Sequence, residues 1–324
     1  MTETRTTLKE FEADLIVRDA EVVAADVVSL TLTATRGEAL PAWTPGAHID
    51  LLLDDDLTRQ YSLCGNPIDA ASWRVGVLRA PASRGGSTYV HEQLAPGRTV
   101  RVRGPRNHFP LVASPAYLFV AGGIGITPLL PMIAEVHAAG AQWSLLYGGR
   151  ERASMAFLSE LEAYGDHVTL APQDETGFLD LDEWLGTPRP DTVVYCCGPE
   201  GLLAAVEERC TVWPPGSLHL ERFSPKASDP GATGEDSSFE LVLQRSGLTL
   251  QVPPDKSVFQ VAKEAGANVL GSCLEGVCGT CETEVVDGDV DHRDSVLNDD
   301  EKASNEFMMI CVSRCHSARL TLDL

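Results

Sequence analysis

Short apolar, β-branched runs broken by turns fill the first third of the chain: DLIVRDAEVV, VVSLTLTA, HIDLLL, WRVGVLRA and TVRVRGP, interrupted by PAWTPG and APGR. Short strands at this spacing predict an antiparallel β-barrel or sandwich over residues 1–110. From 111 the pattern changes. YLFVA leads through GGIGITP into the helix-like LLPMIAEVHAAG, WSLLYGG into MAFLSELEAYG, and TVVYCCGP into EGLLAAVEERC, with SLHLERF following. This alternation predicts an α/β domain with a parallel sheet and helices on both faces over 111–224. Residues 225–237, within SPKASDPGATGEDSS, have almost nothing to bury and predict a flexible linker. The last segment, 238–324, opens with FELVLQRSGLTLQV, which reads as a hairpin, and continues with the helix-like VFQVAKEAGA. There is no internal repeat.

Charge narrows the partners. The 324 residues carry 25 basic and 47 acidic side chains, a net of −22. Such a chain repels nucleic acid and anionic membranes, so neither is expected as a partner. A protein with a basic docking patch suits it better, although acidity also serves solubility. From Glu235 to Leu324 there are 17 acidic and 7 basic residues, so nearly half the net charge sits in about a quarter of the chain. No apolar stretch reaches the roughly 18 residues of a membrane helix. MTETRTTLKEFEADL lacks the apolar core of a secretory signal. A soluble, cytoplasmic protein is the expectation.

Nine cysteines in a reducing compartment argue for metal or redox work rather than disulfides. GSCLEGVCGTC places Cys273, Cys278 and Cys281 at C-x4-C-x2-C spacing, with Cys311 thirty positions on. This is the plant-type 2Fe–2S pattern. Gly271, Ser272, Gly276, Gly279 and Thr280 let the loop wrap tightly and aim N–H groups at the sulfurs. A zinc site normally shows C-x2-C in both halves or paired histidines, and neither is present. Cys315 competes with Cys311 as fourth ligand; Cys311 is preferred because it follows the apolar FMMI. Cys64, Cys196, Cys197 and Cys210 are too scattered for a second metal site, and Cys210 reads as a small buried hydrophobe.

Two glycine turns end predicted strands. AGGIGITP, residues 121–128, puts Pro128 where a helix starts, and such a turn cradles phosphate. YCCGPEGL, 195–202, repeats the arrangement, and the pair favours a dinucleotide over two bare structural turns. No acidic residue follows WSLLY; GGR stands there, so Asp174 or Glu175 is the candidate ribose carboxylate. In RQYSL, Arg59 and Tyr61 share a strand face and Ser62 adds a hydroxyl. Arg84, Gly85, Gly86 and Ser87 precede a predicted helix and offer a second phosphate nest. HEQLA, 91–95, is not a zinc motif, since Ala95 stands where the second histidine belongs.

In this order, RQYS, GGS, GGIGITP, CCGP, LHLERF and the plant-type cysteines resemble the phthalate dioxygenase reductase family, over essentially the whole chain. The resemblance implies a flavin barrel, a nucleotide domain and an α+β ferredoxin of β-grasp type. It implies FMN held by Arg59, Tyr61 and Ser62, with its phosphate at Gly85, Gly86 and Ser87. Gly122, Gly123, Gly125 and Thr127 would line the nucleotide site. Cys197, Gly198 and Pro199 would lie by the nicotinamide, and Phe223 would cover the isoalloxazine. Family members usually take NADH, while Arg150 leaves room for a 2′-phosphate. NADH yields two electrons as a hydride and a 2Fe–2S cluster takes one at a time, so a flavin between them is the natural converter. No general acid or base is nominated, and Cys197 is expected to be a neighbour of the reacting groups rather than a nucleophile.

The expected function is therefore the reductase of a two-component Rieske-type oxygenase or demethylase in aromatic catabolism, working as a monomer. Reduction of a haem-thiolate monooxygenase or another carrier is the alternative within enzymes. A redox-sensing module is the alternative outside them.

Overall fold

The computed structural model describes residues 10–54, 57–81, 85–226 and 237–324. Arg84 and residues 227–236 of the expected linker lie outside the described residues. The chain divides into two compact units, Met1–Glu221 and Arg222–Leu324.

The first unit begins with β1 (Glu12–Ala24), β2 (Val27–Ala34), β3 (His48–Asp54), β4 (Leu57–Ser62), β5 (Ser72–Leu78), helix α1 (Gly86–Gln93) and β6 (Thr99–Arg106). These strands form an antiparallel sheet in the order β4-β3-β6-β1-β2-β5. A bridge between Leu63 and Val75 joins the two edges, so the sheet curls into a barrel. Alternate residues point inward, as strand geometry requires: Leu15 and Val17, Leu30 and Leu32, Ile49 and Leu51, Trp73, Val75 and Val77 are all buried together.

The same unit continues with β7 (Ala116–Gly122), α2 (Ile126–Ala138), β8 (Gln142–Gly149), α3 (Leu158–Leu161), β9 (Val168–Pro172), α4 (Gln173–Thr176), α5 (Leu181–Leu185), β10 (Thr192–Cys197), α6 (Glu200–Cys210) and β11 (Leu218–Glu221). The sheet is parallel, in the order β11-β10-β7-β8-β9. The chain runs outward from β7 to β9, then returns to β10 on the other side. The reversal falls between β7 and β10, the place where such sheets bind ligands. Leu118, Val120, Val194 and Cys196 pack on one face with Leu203 and Val206 of α6. Phe119, Ala121 and Tyr195 pack on the other with Ile126, Leu129 and Ile133 of α2, and with Val27, Cys64 and Phe109 from the barrel side.

Two local expectations fail. MAFLSELEAYG does not form one helix: Phe157 takes φ 62 and Gly165 φ 53, leaving only the short α3 beside 3-10 turns. Phe157 is 2% exposed, so packing imposes a backbone that a helix cannot continue through. Pro128 is the third residue of α2 rather than the first, because a 3-10 turn, Gly123–Gly125, precedes the helix. The position is still tolerated, since the first four N–H groups of a helix have no internal acceptor.

The second unit contains β12 (Phe239–Leu243), β13 (Leu248–Val252), α7 (Val258–Glu264), β14 (Glu282–Asp287), β15 (Val290–Asp291), α8 (Asp299–Ser304), β16 (Phe307–Met309), β17 (Arg314–Cys315) and β18 (Arg319–Leu322). Its main sheet runs β13-β12-β18-β14-β16, with β12 and β18 parallel and the β12–β13 hairpin antiparallel. Val258, Phe259 and Ala262 of α7 are buried among Phe239, Leu241, Leu320 and Leu322. Ser257 and Gln260 close a capping box at the start of α7.

Candidate functional site

The two glycine turns touch through their backbones. A Cβ on Gly125 would lie 2.2 Å from the Cys197 carbonyl oxygen, and one on Gly122 would lie 2.7 Å from Pro199 Cδ. Gly198 is as tightly confined, with Gly122 Cα 3.0 Å from its ideal Cβ. Glycine is therefore required at these positions by close approach, and the paired turns sit at the ends of β7 and β10. Gly123 has φ 55 and open space beside it, which leaves its backbone free to face a ligand. Thr127 is buried and its hydroxyl donates to Ile124 O at 2.9 Å, so it holds the turn's shape.

On the barrel side, the Arg59 side chain lies across the start of α1. A Cβ on Gly86 would meet Arg59 Cγ at 2.4 Å, and Gly85, with φ 90, caps the helix. A guanidinium over an eight-residue helix whose first turn has no acidic residue fits a phosphate. Ser87 Oγ accepts the Ala80 N–H at 3.1 Å. Burial pushes the Tyr61 hydroxyl up to about 12, against the opposing pull of Arg59, so Tyr61 stays neutral.

Ser62, Glu221 and Cys197 meet where the barrel and the sheet adjoin. Ser62 Oγ donates to Glu221 Oε2 at 3.4 Å. Glu221 ends β11 opposite Cys197, which ends β10. Glu221 keeps partial exposure but is crowded by protein, and burial raises its carboxyl to about 8 in spite of the Ser62 hydrogen bond. Burial, then Glu221, then Cys196 push the Cys197 thiol well above its ordinary value. A neutral thiol is a poor nucleophile, in line with the neighbour role expected for Cys197. Sequence reasoning missed Glu221. Its signal was present in LHLE, where a carboxylate ends a strand beside the CCGP turn. Phe223, two residues beyond Glu221, is 43% exposed.

The outer edge of the crevice carries both charges. Arg150 is exposed after β8, and Arg152 grips Glu175 with Nε at 3.0 Å and Nη2 at 2.9 Å. Asp174 donates its N–H to Arg150 O at 3.2 Å. The two candidate ribose carboxylates thus stand beside both arginines, at the ends of the neighbouring strands β8 and β9.

In the second unit the four expected cysteines converge. Cys278 lies against Cys273, and Cys311 against Cys281 and Cys273. Glu275 N–H donates to Cys273 Sγ at 3.3 Å, Thr280 Oγ1 is 3.1 Å from Cys278 Sγ, and the Gly276 N–H points at Cys311. Leu274, Gly276 and Gly279 all have positive φ, which turns these amides inward. Cys273 lowers the Cys311 thiol, but Cys281 and burial outweigh it and raise it to about 12. Metal must therefore displace protons to bind. Among the described residues, no three histidine, cysteine or carboxylate side chains close on a single metal-ion position. Thiols neighbouring in pairs, with N–H groups on sulfur, fit a two-iron cluster. Cys315 is elsewhere, with Sγ 3.0 Å from Ser317 Oγ.

Comparison with known proteins agrees. Residues 241–316 match the family described as 2Fe-2S iron-sulfur cluster binding domain, and residues 119–208 match oxidoreductase NAD-binding domain. A phenoxybenzoate dioxygenase subunit beta from Ectopseudomonas oleovorans is 41% identical, over 93% of this chain and 94% of its own. The solved phthalate dioxygenase reductase, described as a modular structure for electron transfer from pyridine nucleotides to [2Fe-2S], is 35% identical with a TM-score of 0.70, covering 97% of this chain and 98% of that one. An intact type IV self-sufficient cytochrome P450 monooxygenase is 44% identical with a TM-score of 0.91; the match covers 97% of this chain and 41% of the P450 chain, so this chain spans about two fifths of its length. No helix among the described residues is long and apolar enough to cross a membrane. With its antiparallel barrel, its parallel sheet, its paired glycine turns and its four converging thiols, the chain belongs to the phthalate dioxygenase reductase family, NADH-dependent flavin and iron–sulfur oxidoreductases that serve oxygenase systems.

Proposed function

We propose that this chain carries electrons from NADH, by way of FMN and a 2Fe–2S cluster, to a Rieske-type terminal oxygenase or demethylase acting on aromatic or similar compounds. Arg59, Tyr61 and Ser62 hold the flavin, with its phosphate on Gly85, Gly86 and Ser87. Gly122, Gly123, Gly125 and Thr127 shape the nucleotide site, and Arg150 lies at its adenosine end. Cys197, Gly198 and Pro199 border the nicotinamide, Phe223 covers the flavin ring, and Cys273, Cys278, Cys281 and Cys311 ligate the cluster. The flavin, when bound, supplies the conversion between a two-electron and a one-electron carrier.

The chain's own residues have modest tasks. The confined glycines bring backbone N–H groups close to phosphate. Ser62, Glu221 and Cys197 present neutral polar groups, because burial keeps the carboxyl and the thiol protonated near pH 7. The observation that carries the reading is the backbone contact between the Gly125 and Cys197 turns, beside Ser62, in a chain that also gathers four thiols. We also read the protein as a cytoplasmic monomer, and its net charge of −22 speaks against an anionic-membrane or nucleic-acid partner.

Anaerobic NADH titration of purified protein tests this. Flavin and 2Fe–2S absorbance should both bleach; a preparation that binds no flavin would overturn the proposal. The P450 match, at 44% identity, favours a second reading in which the acceptor is a haem-thiolate monooxygenase. Reconstitution with each acceptor class, scored by NADH consumed per product formed, separates the two.

A further inference from the structure

Arg74 stands on β5, where the barrel meets the nucleotide layer. Its Nη1 and Nη2 fork onto Glu160 of α3 at 2.6 and 2.8 Å. Nη2 also donates to the Cys64 carbonyl at 2.7 Å, and the Cys64 N–H returns a bond to Arg74 O at 2.8 Å. Arg74 Cζ lies 5.1 Å from the centre of the Phe157 ring. One side chain thus ties the residues just beyond Ser62 to the segment that carries Phe157 and Glu160.

The same face of β5 continues the link. Gly76 lies two residues on, and a Cβ there would meet Thr127 Cγ2 at 2.8 Å and Phe157 Cε2 at 3.1 Å. Phe157 holds φ 62, a conformation an L-residue rarely adopts and one that persists only where its surroundings impose it. Arg74 and Glu160 line an open cleft of about 560 Å³ together with Cys64 and Leu130. The seam is itself packed, with Val27, Cys64 and Phe109 buried in one cluster with Ile126, Met155 and Phe157, and the Arg74 fork adds a directional polar tie that apolar packing does not supply.

We infer that Arg74 is a positioning residue for hydride transfer, fixing the distance between the Ser62 strand and the Thr127 turn. This rests on the proposed roles of Ser62 and Thr127. Lysine cannot substitute: it can pair with Glu160, but it lacks the planar fork that reaches Glu160 and Cys64 together while stacking on Phe157. The pair is partly exposed, at 27% and 44%, so its weight in global stability is small. Its weight in rate is larger, because a misplacement of about 1 Å can cost about 100-fold.

The test uses the full chain loaded with flavin, as wild type, Arg74→Lys, Glu160→Gln and Arg101→Ala. Arg101 pairs with Glu12 and Asp14 within the barrel and serves as control. Rapid mixing with NADH should show the limiting rate of flavin bleaching falling about tenfold or more in R74K and E160Q. NADH affinity should stay within about twofold, and the isotope effect with C4-deuterated NADH should rise; R101A should match wild type in all three. Hydrogen exchange on flavin-free protein should show residues 59–66 losing protection in R74K and not in R101A. Wild-type bleaching rates in both clamp variants, or unchanged protection at 59–66, would overturn the inference. Wild-type protein that NADH cannot bleach would instead overturn the reading of the crevice, and the inference with it.

Discussion

Ser62 Oγ donates to Glu221 Oε2 across 3.4 Å, although 159 positions separate them in sequence. The contact joins the end of β4 to the end of β11 and leaves a carboxyl raised to about 8 by burial.

That carboxyl sets a pH dependence. Its folded pKa lies above the ordinary 4.5, so the folded protein keeps a proton that the unfolded chain releases. Its contribution is intact below about pH 4.5 and lost as pH rises through about 8. All five tryptophans, at positions 43, 73, 143, 184 and 213, lie in the first unit, so their fluorescence follows that unit alone. Denaturation midpoints should fall between pH 6 and pH 9 in wild type, and fall less in Glu221→Gln, which should be the more stable protein at pH 9.

Asp50 behaves oppositely. Burial would raise its pKa, but Arg106, Gln60 and Arg103 together hold it below the ordinary 3.8. Arg103 Nη2 lies 2.9 Å and Arg106 Nη2 2.7 Å from its oxygens, and Glu10 completes the network. The stabilisation is present above about pH 4 and lost as pH falls through the depressed value. Asp50→Asn should cost about 3–5 kcal/mol at pH 7. Its acid transition, followed by tryptophan fluorescence from pH 6 to 2, should be shallower than that of wild type.

Cys311 and Cys315 are close in sequence and separate in role. Cys311→Ser should abolish most visible cluster absorbance, because Cys311 adjoins Cys273 and Cys281. Cys315→Ser should retain it, since Cys315 bonds within its own turn to Ser317. Iron content per chain, measured beside the spectrum, checks both.

Nucleotide choice should respond to Glu175. While Glu175 neutralises Arg152, a 2′-phosphate meets Arg150 there but no second uncommitted fork. Glu175→Gln should raise kcat/KM for NADPH roughly tenfold relative to NADH. Steady-state assays with both nucleotides decide it, and the thermal midpoint should not move, because the pair is about half exposed.

Much of this architecture was legible beforehand, for physical reasons. Period-two runs gave the barrel strands, glycine turns at strand ends gave the crevice, and cysteine spacing gave the thiol group. Each is a local signal. Glu221 escaped because its meaning depends on β11 lying beside β10, a pairing that strand patterns do not specify. The helix expected across Met155–Gly165 failed because Phe157 answers to Arg74 and Gly76 rather than to helical periodicity. Arg74 itself looked like an ordinary strand arginine until its three partners were in place.

The strand order β13-β12-β18-β14-β16 has a consequence in time. The strand made last in this unit occupies the middle of the sheet, with Leu320 and Leu322 in the core. As the chain emerges from the ribosome, the first unit can fold while the second still lacks its central seam. Cys273, Cys278 and Cys281 precede Cys311 and β18 in the order of synthesis. On the proposed ligand set, all four thiols and the central strand of their sheet are together only once β18 has been made.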